Sequence, residues 1–208
     1  MSLNVICLHG FTQNSSILQK KLMKLVKSIK GLSFYFLDGC AELPKTDENE
    51  SRAYWVYDKE KPLDVDWSNH YKENTTIHYL DDSFKAFLEL AKKLGRVDGI
   101  IGFSQGGCFA DYICKMHAKG MVPFDLRFAV FIASEHFNRP GCDFDNVKPI
   151  IQTLHMYGKN DTVIPEHMSE LLTKSYPNKD IFIHNGAHII PSTSAAKTAF
   201  KNLIIKII

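Results

Sequence analysis

Short, almost continuously apolar runs recur along this chain, separated by longer stretches in which apolar residues return every three or four positions. The runs fall at 4–8, 33–37, 98–103, 127–133, 151–157 and 180–184. Most do not alternate apolar with polar, so both faces of each strand are expected to be covered, the condition of a parallel sheet. Between the runs, Leu18, Leu22, Leu25, Val26 and Ile29 mark one face of a first helix. Lys20, Lys21, Lys24, Lys27 and Lys30 fall elsewhere on it, and read more readily as a solvated side than as a phosphate-binding one. A second helix is predicted from about Asp81-Asp82-Ser83, with Phe84, Phe87, Leu88, Ala91 and Leu94 as its stripe and Gly95 as its stop. A third follows Ser104, with Phe109, Ile113 and Met116 on one side. A fourth opens at Pro165, with Met168, Leu171 and Leu172 inside. The last runs from about Ser192, with Ala196, Phe200, Leu203, Ile204 and Ile207 in register.

Strand and helix in alternation predict an α/β fold: one domain over 1–208, with a mostly parallel six-stranded sheet flanked by helices on both faces. The stretch 38–79 breaks the pattern. It mixes prolines and charges with Tyr54, Trp55, Tyr57 and Trp67. A connection of that length is expected to be functional or disordered, and the aromatics favour a structured cap or pocket wall.

Composition narrows the function classes. A formal net charge of +2 is too small to argue for nucleic acid or an anionic membrane as a partner. No apolar run is long enough to span a bilayer, and no basic, cleavable leader pattern opens the chain, so a cytoplasmic location is the expectation. Cys7, Cys40, Cys108, Cys114 and Cys142 are widely spaced and read as reduced thiols, mostly in the core. Neither a metal motif nor a dinucleotide-binding glycine pattern occurs, and no cofactor is expected. The oligomeric state is not legible.

The most specific chemical signal is Gly102-Phe103-Ser104-Gln105-Gly106-Gly107, set between an apolar run and a helical pattern. A nucleophile elbow needs that setting. The serine occupies a tight strand-to-helix turn, and small residues two positions either side let strand and helix approach each other. A glycine-rich turn that only binds phosphate is the competing reading. A serine nucleophile needs a base, and the base needs an orienting carboxylate. Asp161 follows the run 151–157 and His188 follows the run 180–184, which gives the order nucleophile, acid, histidine. Read alone, Asp161 is a helix cap and His188 a surface residue; the conjunction overrides both. Asp143 and Asp180 stand next in line for the acid. The competing histidines are His117, His155, His167 and His184, each on a helix or strand pattern. An acyl-transfer site also needs an oxyanion hole. The expected donors are the backbone N–H of Gln105 and that of Phe11, in the loop His9-Gly10-Phe11-Thr12-Gln13 after the first strand, where His9 is read as a packing residue.

Four segments in sequence order resemble the FSH family of serine hydrolases within the α/β-hydrolases. They are 8–14, the Ser51-Arg52-Ala53-Tyr54-Trp55 segment, 102–107, and 184–191 with its Asn-Gly-Ala-His-Ile-Ile-Pro end. The second is the most discriminating. The resemblance implies a single domain whose first strand corresponds to the third of larger hydrolases. It also implies ester or thioester hydrolysis on acyl chains of some length through Ser104, Asp161 and His188, with Arg52 and Trp55 near the pocket mouth. The acyl-protein thioesterase and carboxylesterase branch shares the elbow. The chain departs from the family after the fourth strand, where Ser134-Glu135-His136-Phe137 replaces a glycine-containing turn.

The expected activity is therefore cleavage of small acyl esters through an acyl-enzyme, on medium- to long-chain substrates, with acyl-thioester hydrolysis as the alternative. A non-catalytic ligand-binding protein on the same fold is the alternative outside enzymes.

Overall fold

The computed structural model describes residues 2–45, 50–64, 76–138, 142, 144 and 146–208, so Trp67 and Asp143 lie outside the described residues. Six strands form one parallel sheet: β1 (Leu3–Leu8), β2 (Leu32–Leu37), β5 (Gly99–Phe103), β6 (Phe128–Ile132), β7 (Gln152–Gly158) and β8 (Lys179–His184). Their spatial order is β2-β1-β5-β6-β7-β8. Each matches one of the six apolar runs.

The helices cover both faces, as the alternating pattern requires. On one face α1 (Ser15–Val26) and α5 (Ser194–Ile207) pack with Val5, Cys7, Ile101, Val130 and Met156. On the other, α2 (Leu80–Leu94), α3 (Gln105–Ala118) and α4 (Glu166–Lys174) pack with Ile6, Leu8, Ile100, Ala129 and Phe131. Neighbouring residues of one strand thus serve opposite cores, which explains why alternation with polar residues is absent.

Two helix starts differ from expectation. Asp81 and Asp82 do not cap α2. Tyr79 occupies that position in a left-handed conformation with no side-chain cap bond. Ser83 instead turns inward, donating to the Tyr54 carbonyl at 2.8 Å and accepting the Cys40 N–H at 3.2 Å. Pro165 sits one residue before α4 rather than inside it. Gly95 ends α2 as expected, with φ 70° and its N–H on the Ala91 and Lys92 carbonyls.

Within the irregular stretch, β3 (Ala41–Leu43) and β4 (Ser51–Ala53) form a short antiparallel pair that the sequence pattern did not predict. Arg52 extends it by pairing with Gln13. Among the described residues no disulfide joins the five cysteines, and Cys7, Cys108 and Cys114 are buried. No helix among the described residues is long and apolar enough to cross a membrane.

Candidate active site

The chain leaves β1, builds β2 on one side, then returns to place β5 on the other. This reversal brings the loops after β1 and β5 side by side beyond the carboxyl ends of the strands, the place where open α/β sheets hold ligands. The first loop carries Gly10 and Phe11, the second Ser104. They touch: a methyl group added to Gly10 would lie 3.3 Å from the Ser104 Cβ.

Ser104 has φ 54° and ψ −122°, a conformation a non-glycine residue adopts only under constraint. Its N–H donates to Ile132 on β6 at 2.9 Å, and its carbonyl accepts from Gly107 and Cys108 in the first turn of α3. The flanking glycines permit the turn by close approach. A Cβ on Gly102 would meet the Gly106 carbonyl oxygen at 2.3 Å, and one on Gly106 would meet the Leu8 carbonyl oxygen at 2.3 Å. Thr12 and Ala133, in the neighbouring loops, also have positive φ.

Asp161 and His188 are brought together from the loops after β7 and β8. His188 Nδ1 lies 2.7 Å from Asp161 Oδ2. The other oxygen, Oδ1, accepts the N–H groups of Val163 and Ile164, both at 2.9 Å. The cap reading of Asp161 and the acid reading are thus satisfied by different oxygens of one buried carboxylate. These bonds fix the carboxylate plane, which in turn aims the imidazole. The His188 ring lies 5.0 Å from the ring of Phe103, the residue before Ser104. The Ser104 hydroxyl makes no hydrogen bond to His188 among the described residues. A serine–histidine contact in a substrate-free site is commonly long and tightens when substrate binds. Asp180, an alternative acid, is held by Lys206 at 2.6 Å on α5.

The loop after β1 is fixed by a residue that the sequence pattern assigned only to packing. His9 is buried, and its Nδ1 lies 2.8 Å from the Gly10 carbonyl oxygen, which can only accept. Its Nε2 accepts the Gly39 N–H at 3.0 Å. The ring is therefore neutral with its proton on Nδ1, and burial lowers its pKa from the ordinary histidine value. In a trans peptide the C=O and N–H point oppositely. Holding the Gly10 carbonyl from one side thus turns the Phe11 N–H the other way.

Gln105 also does more than its backbone suggests. Its side-chain oxygen accepts the Tyr54 N–H at 3.0 Å, and its nitrogen donates to the Trp55 carbonyl at 2.9 Å. The first residue of α3 thereby clamps the irregular stretch over the elbow. Trp55, expected at a pocket mouth, is instead 3% exposed and packs edge-on against Phe137 in the core. Arg52 is half-buried and reaches Glu42 at 3.2 Å and Glu50 at 3.6 Å. In the departing segment, Phe137 is pinned by α3: Asp111 accepts its N–H at 2.6 Å and Lys115 donates to its carbonyl at 3.1 Å.

Residues 1–200 match the family described as serine hydrolase (FSH1). The chain is 26% identical to esterase OVCA2 of Danio rerio, covering 97% of this chain and 96% of that protein. It is 30% identical to esterase GA18864 of Drosophila pseudoobscura pseudoobscura, over 95% of this chain and 69% of the relative. Among solved structures, Zea mays acyl-protein thioesterase 2 superposes with a TM-score of 0.69 at 14% identity, over 99% of this chain and 93% of that one. The fold is that of the α/β-hydrolases.

Proposed function

This chain belongs to the serine hydrolase (FSH1) family, and from that premise we propose that it cleaves medium- to long-chain acyl esters by nucleophilic attack from Ser104. His188 takes the Ser104 proton on Nε2 as Oγ bonds to the acyl carbon. Asp161 keeps the other nitrogen protonated and stabilises the cation that forms. The carbonyl electron pair moves onto oxygen, where the N–H groups of Phe11 and Gln105 receive it. Collapse expels the alcohol, which takes the proton from His188. Water then attacks the acyl-enzyme by the same route in reverse and frees the acid and the serine. A thioester would follow the same path with a thiol as leaving group.

The observation that carries this reading is the 2.7 Å contact between His188 Nδ1 and Asp161 Oδ2, at the strand ends where the Ser104 turn lies. The test is an active-site fluorophosphonate probe together with a chain-length series of p-nitrophenyl esters. The wild type should be labelled and should turn over the longer esters, and Ser104→Ala should do neither. Labelling that persists in Ser104→Ala would move the nucleophile elsewhere.

A further inference from the structure

We infer that the face built by α1 and α5, at the end of the sheet opposite Ser104, is a docking surface for an anionic lipid bilayer. The two helices pack side by side on one sheet face. Residues 15–30 carry Lys20, Lys21, Lys24, Lys27 and Lys30, and α5 carries Lys197, Lys201 and Lys206, with no acidic residue in either segment. Eight of the chain's 25 basic residues and none of its 23 acidic ones lie there, so the remainder holds 17 against 23 and is net negative by six. A whole-chain charge of +2 hides this segregation. Lys206 is spent on Asp180. Among the described residues the other seven pair with no carboxylate, so their charge is free to act outward.

Charge alone would suit any polyanion. The apolar groups beside it choose among them. Between the end of α1 and α5 lies a cleft of about 540 Å³, lined by Ile29, Lys30, Lys197, Lys201, Ile205 and Ile208. Ile205 is 64% exposed and Ile208 85% exposed. A nucleic acid backbone offers an aliphatic side chain nothing, whereas a bilayer receives aliphatic groups beneath a layer of phosphates. Lysine, with a long apolar stem and a terminal charge, suits that boundary.

The surface is independent of the chemistry. Leu3 N–H donates to the Gly31 carbonyl at 2.8 Å and the Arg127 guanidinium reaches the Ile207 carbonyl, which places the cleft at the amino ends of the strands. Ser104, Asp161 and His188 all follow carboxyl ends. A docked molecule would hold its site away from the bilayer.

The experiment is co-sedimentation with vesicles of phosphatidylcholine and phosphatidylserine in equal parts, against pure phosphatidylcholine. The wild type should sediment with the mixed vesicles only and be released as salt rises. The triple variant Lys30→Gln, Lys197→Gln, Lys201→Gln should lose about 100-fold in partitioning, at about fivefold per lysine. Ile205→Ser should lose several-fold, and both variants should hydrolyse a soluble ester at the wild-type rate. Ser104→Ala should partition as the wild type does, which separates this inference from the hydrolase reading. Equal binding to neutral vesicles, unchanged partitioning in either surface variant, or no sedimentation with anionic vesicles despite retention on heparin would each overturn it.

Discussion

The side chain of Gln105 grips the backbone of Tyr54: its oxygen accepts the Tyr54 N–H at 3.0 Å while its nitrogen donates to the next carbonyl. One residue thus offers a backbone donor to the proposed oxyanion and a side-chain clamp to the segment above it. Gln105→Leu should separate the two. It removes the side-chain partner of the Tyr54 N–H and of the Trp55 carbonyl and is expected to cost about 3 kcal/mol of stability. Turnover of a small soluble ester by the folded fraction should change little. Denaturant titration and initial rates on the same preparation check this.

Asp161→Asn should lower kcat by roughly 10³- to 10⁴-fold, because an amide holds the imidazole in the wrong tautomer. One Oδ1 role survives, since Asn can still accept the Val163 and Ile164 N–H groups. Near-normal stability in thermal denaturation, alongside the kinetic loss, is the expected pair of results.

His9→Phe keeps the stacking against Tyr54, whose ring lies 4.8 Å away, but removes the donor to Gly10 and the acceptor for Gly39. The Gly10 carbonyl then keeps its bond from the Gln13 N–H at 3.1 Å but loses the imidazole. The expected result is a loss of about 10-fold in kcat with KM nearly unchanged, as for an interaction made chiefly in the transition state. Steady-state kinetics on a p-nitrophenyl ester decides it.

Gly106→Ala drives a methyl group into the Leu8 and His9 carbonyls, 2.3 and 2.4 Å from where it would sit. Both contacts are backbone, so neither neighbour yields easily. A loss of roughly 3 kcal/mol is expected, with impaired labelling by a fluorophosphonate probe in whatever fraction folds.

His155 lies in the core on β7, and burial, with a smaller effect from Lys179, pushes its pKa down from 6.5 to about 3. Folded protein therefore holds it neutral while unfolded protein protonates it near pH 6.5. Below that value the unfolded state binds more protons, so stability falls with decreasing pH down to about 3 and is unaffected above 6.5. One such group removes roughly 2 kcal/mol between pH 7 and 5. The lowered pKa of His9 acts in the same direction. Urea midpoints at both pH values should converge more closely in His155→Gln than in the wild type.

The parallel sheet was legible because each strand is an apolar run covered on both faces, and only such a run survives between polar helical stretches. The β3–β4 pair was not, since three-residue strands such as Ser51–Ala53, with charged Arg52 in the middle, show no periodicity. At the site, the placement of Ser104, Asp161 and His188 each just after an apolar run identified the candidates. The placement of Trp55 in the core and the grip of Gln105 were hidden because they depend on contacts across 82 and 50 positions. Ser83 falls at the predicted start of a helix, and nothing local signals that its hydroxyl serves Tyr54 and Cys40.

Ser104, Asp161 and His188 follow β5, β7 and β8, and β6 is wedged between the first two. No contiguous fragment of the polypeptide holds all three alongside an intact scaffold. On the proposed mechanism, hydrolysis is thus an assay of folding as much as of chemistry: peeling β8 from β7 should silence it while most helices persist. Activity lost in denaturant ahead of the helical circular-dichroism signal would reveal that the sheet opens from this border inward.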